Sequence, residues 1–116
     1  MEKTFTVANH FEGKEAIVKQ IYDRLLETLR QFGEVHEAPK QTSIHLDNAS
    51  GFAGVYTRKT YILLNFRTDY PIDDPRITKR EQHSARRFMH TVKLIQVSDI
   101  DAQLLKWLED AYKIAA

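Results

Sequence analysis

Six cationic side chains fall between positions 76 and 93: Arg76, Lys79, Arg80, Arg86, Arg87 and Lys93. They face the single acid Glu81, a local charge of +5. Guanidinium groups grip phosphate and carboxylate oxygens in pairs, so this run is the chain's clearest route to an anion. Its plainer reading is a solvated segment whose cations pair with Asp69, Asp73, Asp74 and Glu81, because exposed ion pairs form without any ligand. Four aromatics stand near it, Tyr61, Phe66, Tyr70 and Phe88, and unpaired bases stack on such rings. Their spacing matches no recognised pattern. Tyr61 and Phe66 also fall on opposite faces of a regular strand, so at least one of them belongs to the core.

Histidines occur at 10, 36, 45, 83 and 90, and with Asp73 and Asp74 they raise metal binding or general acid–base catalysis. No two share a helix at a four-residue interval; His83 and His90 could meet only in space. Ser43, Ser50, Ser84 and Ser98 lack a nucleophile elbow, and Gly13, Gly33, Gly51 and Gly54 form no phosphate loop. Glu15, Asp23 and Glu27 alternate with lysine and arginine as on a solvated helix face.

The elements that must hold these groups are read from periodicity. In residues 12–32, Ile17, Val18, Ile21, Tyr22, Leu25, Leu26, Leu29 and Phe32 recur at helical spacing, with Gly33 as the stop. Each large side chain of that stripe contributes roughly 1.5 to 3 kcal/mol when fully buried, so it needs a broad partner surface. Residues 42–46, 52–57, 61–67 and 88–95 read as strands, with a turn at 47–51 and a hairpin connection at 58–60. Residues 35–37 offer a short additional strand before Pro39. Ser98 with Asp101 resembles a capping pair before a second helix, whose stripe is Ile100, Leu104, Leu105, Trp107, Leu108, Ala111 and Tyr112. The expected fold is α+β: a two-layer sandwich in which an antiparallel sheet of four to five strands carries an N-terminal and a C-terminal helix on one face. Residues 68–87, with Pro71, Pro75 and dense charge, read as a long loop, the first place to look for a site.

Composition sets the outer limits. At 116 residues, 42% apolar and 28% charged, the chain is sized for a single domain, residues 1–116, and rich enough in apolar residues to fold. The absence of cysteine excludes disulfides, thiolate chemistry and iron–sulfur clusters. Net charge is +1 and the pI is near 8.0, so only a local patch would draw a polyanion. The N-terminus lacks the pattern of a secretory signal, and no apolar run approaches the roughly 20 residues of a membrane helix. A soluble cytoplasmic protein without a cofactor or a membrane partner is expected.

Several short motifs recur in order: His10-Phe11, Gly33-Glu34-Val35, Lys40 with Ser43-Ile44, Phe52-Ala53-Gly54-Val55, Pro75-Arg76-Ile77, His90 and Ala111-Tyr112. On these the chain resembles the bacterial domain-of-unknown-function family fifty-six fifty-five over nearly its whole length. Asn65-Phe66, Asp74-Pro75, Arg87, His90, Val92 and Asp99-Ile100 are more distantly similar to YdhG-like domains labelled iron chaperones. The first resemblance implies a helix–sheet–helix domain with no established activity, and marks Lys40, Arg58, Arg76 and His90 as a candidate pocket. The second implies clustered carboxylates, against which the mixed-charge helices stand.

With Arg86 and Arg87 from the basic run, the expectation is a non-enzymatic binding module for an anionic small molecule or a phosphate-bearing partner, with nucleic acid less well supported. Two alternatives stand beside it. One is a small enzyme or metal-handling protein using His83, His90 and Asp73 or Asp74. The other is an interaction or dimerisation domain that adds strands at an uncovered edge near Val35 or Phe88.

Overall fold

The stripe that starts at Ile17 winds into helix α1 (Ala16–Leu29), and the stripe that ends at Tyr112 winds into helix α2 (Ala102–Ile114). The computed structural model describes residues 5–116. Helix α1 starts later than its periodicity predicts. Residues Ala8–Phe11 form a 3-10 turn, and Gly13 turns the chain at φ 72° before Glu15 takes the extended N-cap position. At the second helix the capping differs from the expected Ser98–Asp101 pair. Gln96 and Asp99 cap a 3-10 turn, Val97–Asp99, reciprocally, and Asp101 is itself the N-cap of α2, accepting from the Leu104 N–H at 3.0 Å.

Between the helices run six strands: β1 (His36–Pro39), β2 (Ile44–Asp47), β3 (Gly51–Thr57), β4 (Ile62–Thr68), β5 (Ile77–Ser84) and β6 (Arg87–Leu94). They form one antiparallel sheet in the order β1-β2-β3-β4-β6-β5. The α+β class and the two helices are as expected, while the sheet holds one strand more than the four to five predicted.

The additional strand is β5, in the middle of the segment read as a long loop. Nearly every residue of β5 is exposed, because the strand lies at the sheet edge and bonds only to β6. Alternation of apolar and polar residues marks a strand with one buried face, and an edge strand without such a face leaves no alternation to find. It also covers β6, so Phe88 lies inside the sheet and only β1 and β5 are edges.

Both helices pack on the same face. Ile62, Leu64 and Phe66 of β4 and Phe88, His90, Val92 and Leu94 of β6 point into the core beneath them, which settles the inward face of β6. Leu46 pairs with Ala53 and Asp47 with Gly51, so Phe52 is the extra residue of a β-bulge. Phe52 is buried and meets the Tyr112 ring edge-on, with centroids 5.3 Å apart. Phe66 stacks on Trp107 of α2 at 6.2 Å and on the His90 ring at 5.4 Å.

Gly33 holds a φ of 150°, and a Cβ there would collide with the Tyr112 hydroxyl, which donates to the Glu34 carbonyl at 2.9 Å. Gly33→Ala is therefore expected to lower unfolding free energy by about 1–3 kcal/mol in urea titration. Combining it with Tyr112→Phe should recover part of that loss, since the colliding oxygen is removed. An unchanged midpoint in the single variant would contradict the close approach.

Candidate functional site: the open face of the sheet

The six residues expected to bind a ligand, four of them as a pocket and Arg86 and Arg87 from the basic run, are dispersed. Lys40 is exposed at the β1–β2 turn, where its main chain pairs with the Ser43 carbonyl and its own carbonyl accepts from His10 Nε2 at 2.8 Å. Arg58 opens the β3–β4 turn. Arg86 and Arg87 are exposed at the tip of the β5–β6 hairpin. Arg76 reaches the α2 N-terminus, with Nη1 at 2.9 and 3.0 Å from the Asp101 carboxylate and Nη2 donating to the Asp99 carbonyl at 2.6 Å. The Leu104 N–H holds the Asp101 carboxyl below the usual range; burial opposes this and Arg76 reinforces it. Arg58 and Arg76 both line hollows, but different ones.

His90 is fully buried and accepts the Ile72 N–H on Nε2 at 3.1 Å. Its Nδ1 faces Thr68 Oγ1 at 3.5 Å, and the Thr68 hydroxyl donates to the Tyr70 carbonyl at 2.6 Å. The ring proton therefore sits on Nδ1 of a neutral imidazole. Arg80 Nη1 donates to the Ile72 carbonyl at 3.1 Å, so both main-chain polar groups of Ile72 are taken. The metal and acid–base alternative needs His83 and His90 to converge. His90 instead lies opposite Arg80 in the register, while His83 approaches Glu81 on the exposed edge strand. Among the described residues no group of three or more His, Asp or Glu side chains is placed to hold one ion.

What the fold does assemble is the sheet face opposite the helices. Gly54 pairs with Asn65, Tyr56 with Leu63, Asn65 with Thr91, Arg67 with Met89, and Leu63 with Lys93, so these positions share that face with His45. Two adjoining hollows lie along it, of about 250 and 270 Å³, both bordered by Tyr56, Asn65 and Met89. His45 and Arg67 complete the first; Arg58, Lys79 and Glu81 border the second.

Gly54 makes the floor. A Cβ there would stand 2.6 Å from Asn65 Oδ1, so the missing side chain is what lets the amide lie across β3. Among the described residues neither the Asn65 amide nor the half-buried Arg67 guanidinium has a side-chain partner. Lys93 Nζ sits over the Tyr61 ring at 4.3 Å, which fixes a further cation at the rim. Glu81, paired with Lys79 at 3.1 Å, is the acid bordering the second hollow.

Of the four aromatics proposed as stacking platforms, Phe66 and Phe88 are core and Tyr70 donates to Asp110 at 2.6 Å on the helix side. Tyr61 alone lies with the open face. Tyr56, Asn65 and Arg67 were missed, although parity along residues 52–57 and 61–67 carries the signal: once Leu64 and Phe66 are placed inward, Asn65 and Arg67 must point outward.

Burial lowers the His90 pKa below its ordinary 6.5, and the Arg80 charge adds to this against an opposing hydrogen bond with the Phe66 backbone. The unfolded chain then takes up this proton before the folded one does. The stabilisation is complete above pH 6.5 and is lost as pH falls from 6.5 toward the lowered folded value. Unfolding free energy should therefore fall between about pH 7 and pH 5, and His90→Gln, which keeps an acceptor for Ile72 without titrating, should show a shallower fall. Equal slopes in denaturant titrations would refute the buried neutral ring.

No curated protein and no solved structure matches the chain. Residues 7–115 match a family model described as Domain of unknown function (DUF5655). That match spans the sheet, both helices and the open face, and the chain belongs to this family.

Proposed function

We propose that the open face of the sheet is a binding site for an anionic ligand and that the protein acts as a binding module. The observation that carries this is Arg67. A guanidinium that is half-buried and lacks a carboxylate among the described residues keeps its bidentate capacity for a ligand, unlike Arg76, which spends it on Asp101. The free Asn65 amide, the Tyr56 hydroxyl and the His45 ring border the same hollow and supply orienting donors and acceptors. Of the expected residues, Arg58 borders this face directly. Arg87 stands two residues from Met89 on the same side of β6, and with Arg86 it extends the positive field.

Catalysis has less support. His45 is exposed with no acid or hydroxyl bonded to it among the described residues, so nothing on this face sets up a nucleophile with its base. Edge pairing between copies is also less favoured. Strand β1 is four residues long with Pro39 at its end, and β5 carries Lys79, Arg80, Glu81 and His83, features that discourage strand addition.

Thermal melting at low salt with phosphate, pyrophosphate and mononucleotides tests this reading. A ligand at 100 times its Kd adds about 2.7 kcal/mol of stability, a readily measured rise in Tm that should fade as salt increases. Arg67→Ala should abolish the rise. Arg76→Ala should lower the baseline Tm yet keep the rise. No response in the wild-type protein, or the same response in Arg67→Ala, would sink the proposal.

A further inference from the structure

The two hollows on the open face are parts of one trough, and its shape exceeds any single phosphate. It crosses from His45 on β2 to Lys79 on β5, four strand spacings, or roughly 19 Å. The charges along it are placed unevenly. Arg67 stands toward one end of β4 and Arg58, whose N–H pairs with the Tyr61 carbonyl, stands beyond the other, while Lys79 and Lys93 occupy the β5–β6 side. Between them the floor is neutral, Tyr56, Leu63, Asn65, Met89 and Thr91, while Glu81 sets one carboxylate on the β5 rim, paired with Lys79 at 3.1 Å. A neutral floor inside a rim of net positive charge, with Arg58, Arg67 and Lys93 not paired to a carboxylate among the described residues, matches a ligand whose charges lie on its outside and whose planar, hydrogen-bonding groups point inward.

Resting on the anion-binding reading above, we infer that this trough takes single-stranded nucleic acid, with an unpaired base on Tyr56, a base edge on the Asn65 amide and backbone phosphates on Arg58 and Arg67. The half-buried Tyr56 ring pairs across the strands with Leu63, which supports it from the side. The amide offers both a donor and an acceptor, and Gly54 leaves it room to present them. Lys93 already occupies the face of Tyr61, so that ring anchors a cation at the rim and Tyr56 is the stacking platform. Charge complementarity favours a polyanion over an acidic peptide because the floor between the cations is aromatic and amide-bearing. Single strands fit better than duplex because both helices lie on the opposite face, leaving none on this side to enter a groove.

Fluorescence anisotropy of the full chain with a short labelled oligoribonucleotide, its DNA counterpart and the matching duplex provides the test. One or both single strands should bind more tightly than the duplex, with affinity falling as salt rises. Tyr56→Ala should weaken binding roughly 5- to 150-fold, the cost of one lost stacking contact, while Tyr56→Phe keeps it. Arg67→Ala should reduce the salt slope by about 0.7, one phosphate's worth on a single strand. Melting curves would confirm that each variant is folded. Equal or tighter duplex binding overturns the inference, as does a Tyr56→Ala protein that binds the strands as well as wild type. If pyrophosphate still raises Tm through Arg67 in that case, the anion site stands and only its polymeric ligand is wrong; silence from both ligand types removes both.

Discussion

Both helices pack on one face of the sheet, and that one-sidedness assigns every strand residue its task. In β4, Ile62, Leu64, Phe66 and Thr68 are buried beneath the helices, so Leu63, Asn65 and Arg67 must form the other surface. A shift of register by one residue would expose Phe66 and bury Arg67, a double penalty large enough to fix the pairing. The bulge at Phe52 is a local exception that keeps the rule elsewhere: the extra residue turns one more aromatic toward Tyr112 without moving Gly54 from beneath Asn65.

Much of the chain's polarity is consumed in holding these layers together. Tyr22 on α1 donates to Glu37 on β1 at 2.6 Å and Arg30 grips the other carboxylate oxygen at 3.0 Å, which ties the short edge strand to the helix. Burial and the Glu37 carboxylate push the Tyr22 hydroxyl far above its ordinary pKa, so it remains a donor. Tyr70 behaves in the same way toward Asp110, with burial as the leading cause. At Asp110 burial pushes the pKa upward, but the bond from Tyr70 and the charges of Lys106 and Lys113 together hold it low. Residues 69–76 are stitched down by His90, Arg80, Arg76 and Tyr70, so a segment with the composition of a mobile loop is an ordered crossing over the sheet edge.

Elements with one buried face were therefore legible in the sequence, and elements without one were not. Helical and strand periodicity located α1, α2, β2 to β4 and β6 because their apolar residues meet a single core. Strand β5 left no such trace, and its Lys79, Arg80 and Glu81 resembled loop residues for the same reason that they suit an edge. The site was legible only in part. Residue types pointed to an anion, but His90 and Arg76 are indistinguishable by type from ligand-binding residues until their partners are known. Arg67 passed unnoticed because a lone arginine on a strand has no local pattern.

Availability, rather than the count of cations, thus separates the two basic regions. Charges on β5 repel strand addition at an open edge, and Arg76 and Arg80 neutralise carbonyls and a carboxylate that would otherwise weaken the crossing segment. These functions need positive charge and no ligand. On the open face Arg67 has no side-chain partner among the described residues, Arg58 bonds only the neighbouring Thr57 carbonyl and Lys93 rests on the Tyr61 ring, and Gly54 gives up its side chain to let Asn65 lie flat. A strand interior loses stability by carrying glycine, so its presence beneath a free amide is a local cost that the core does not explain. The binding site proposed above would give both the glycine and the unspent guanidinium beside it a purpose.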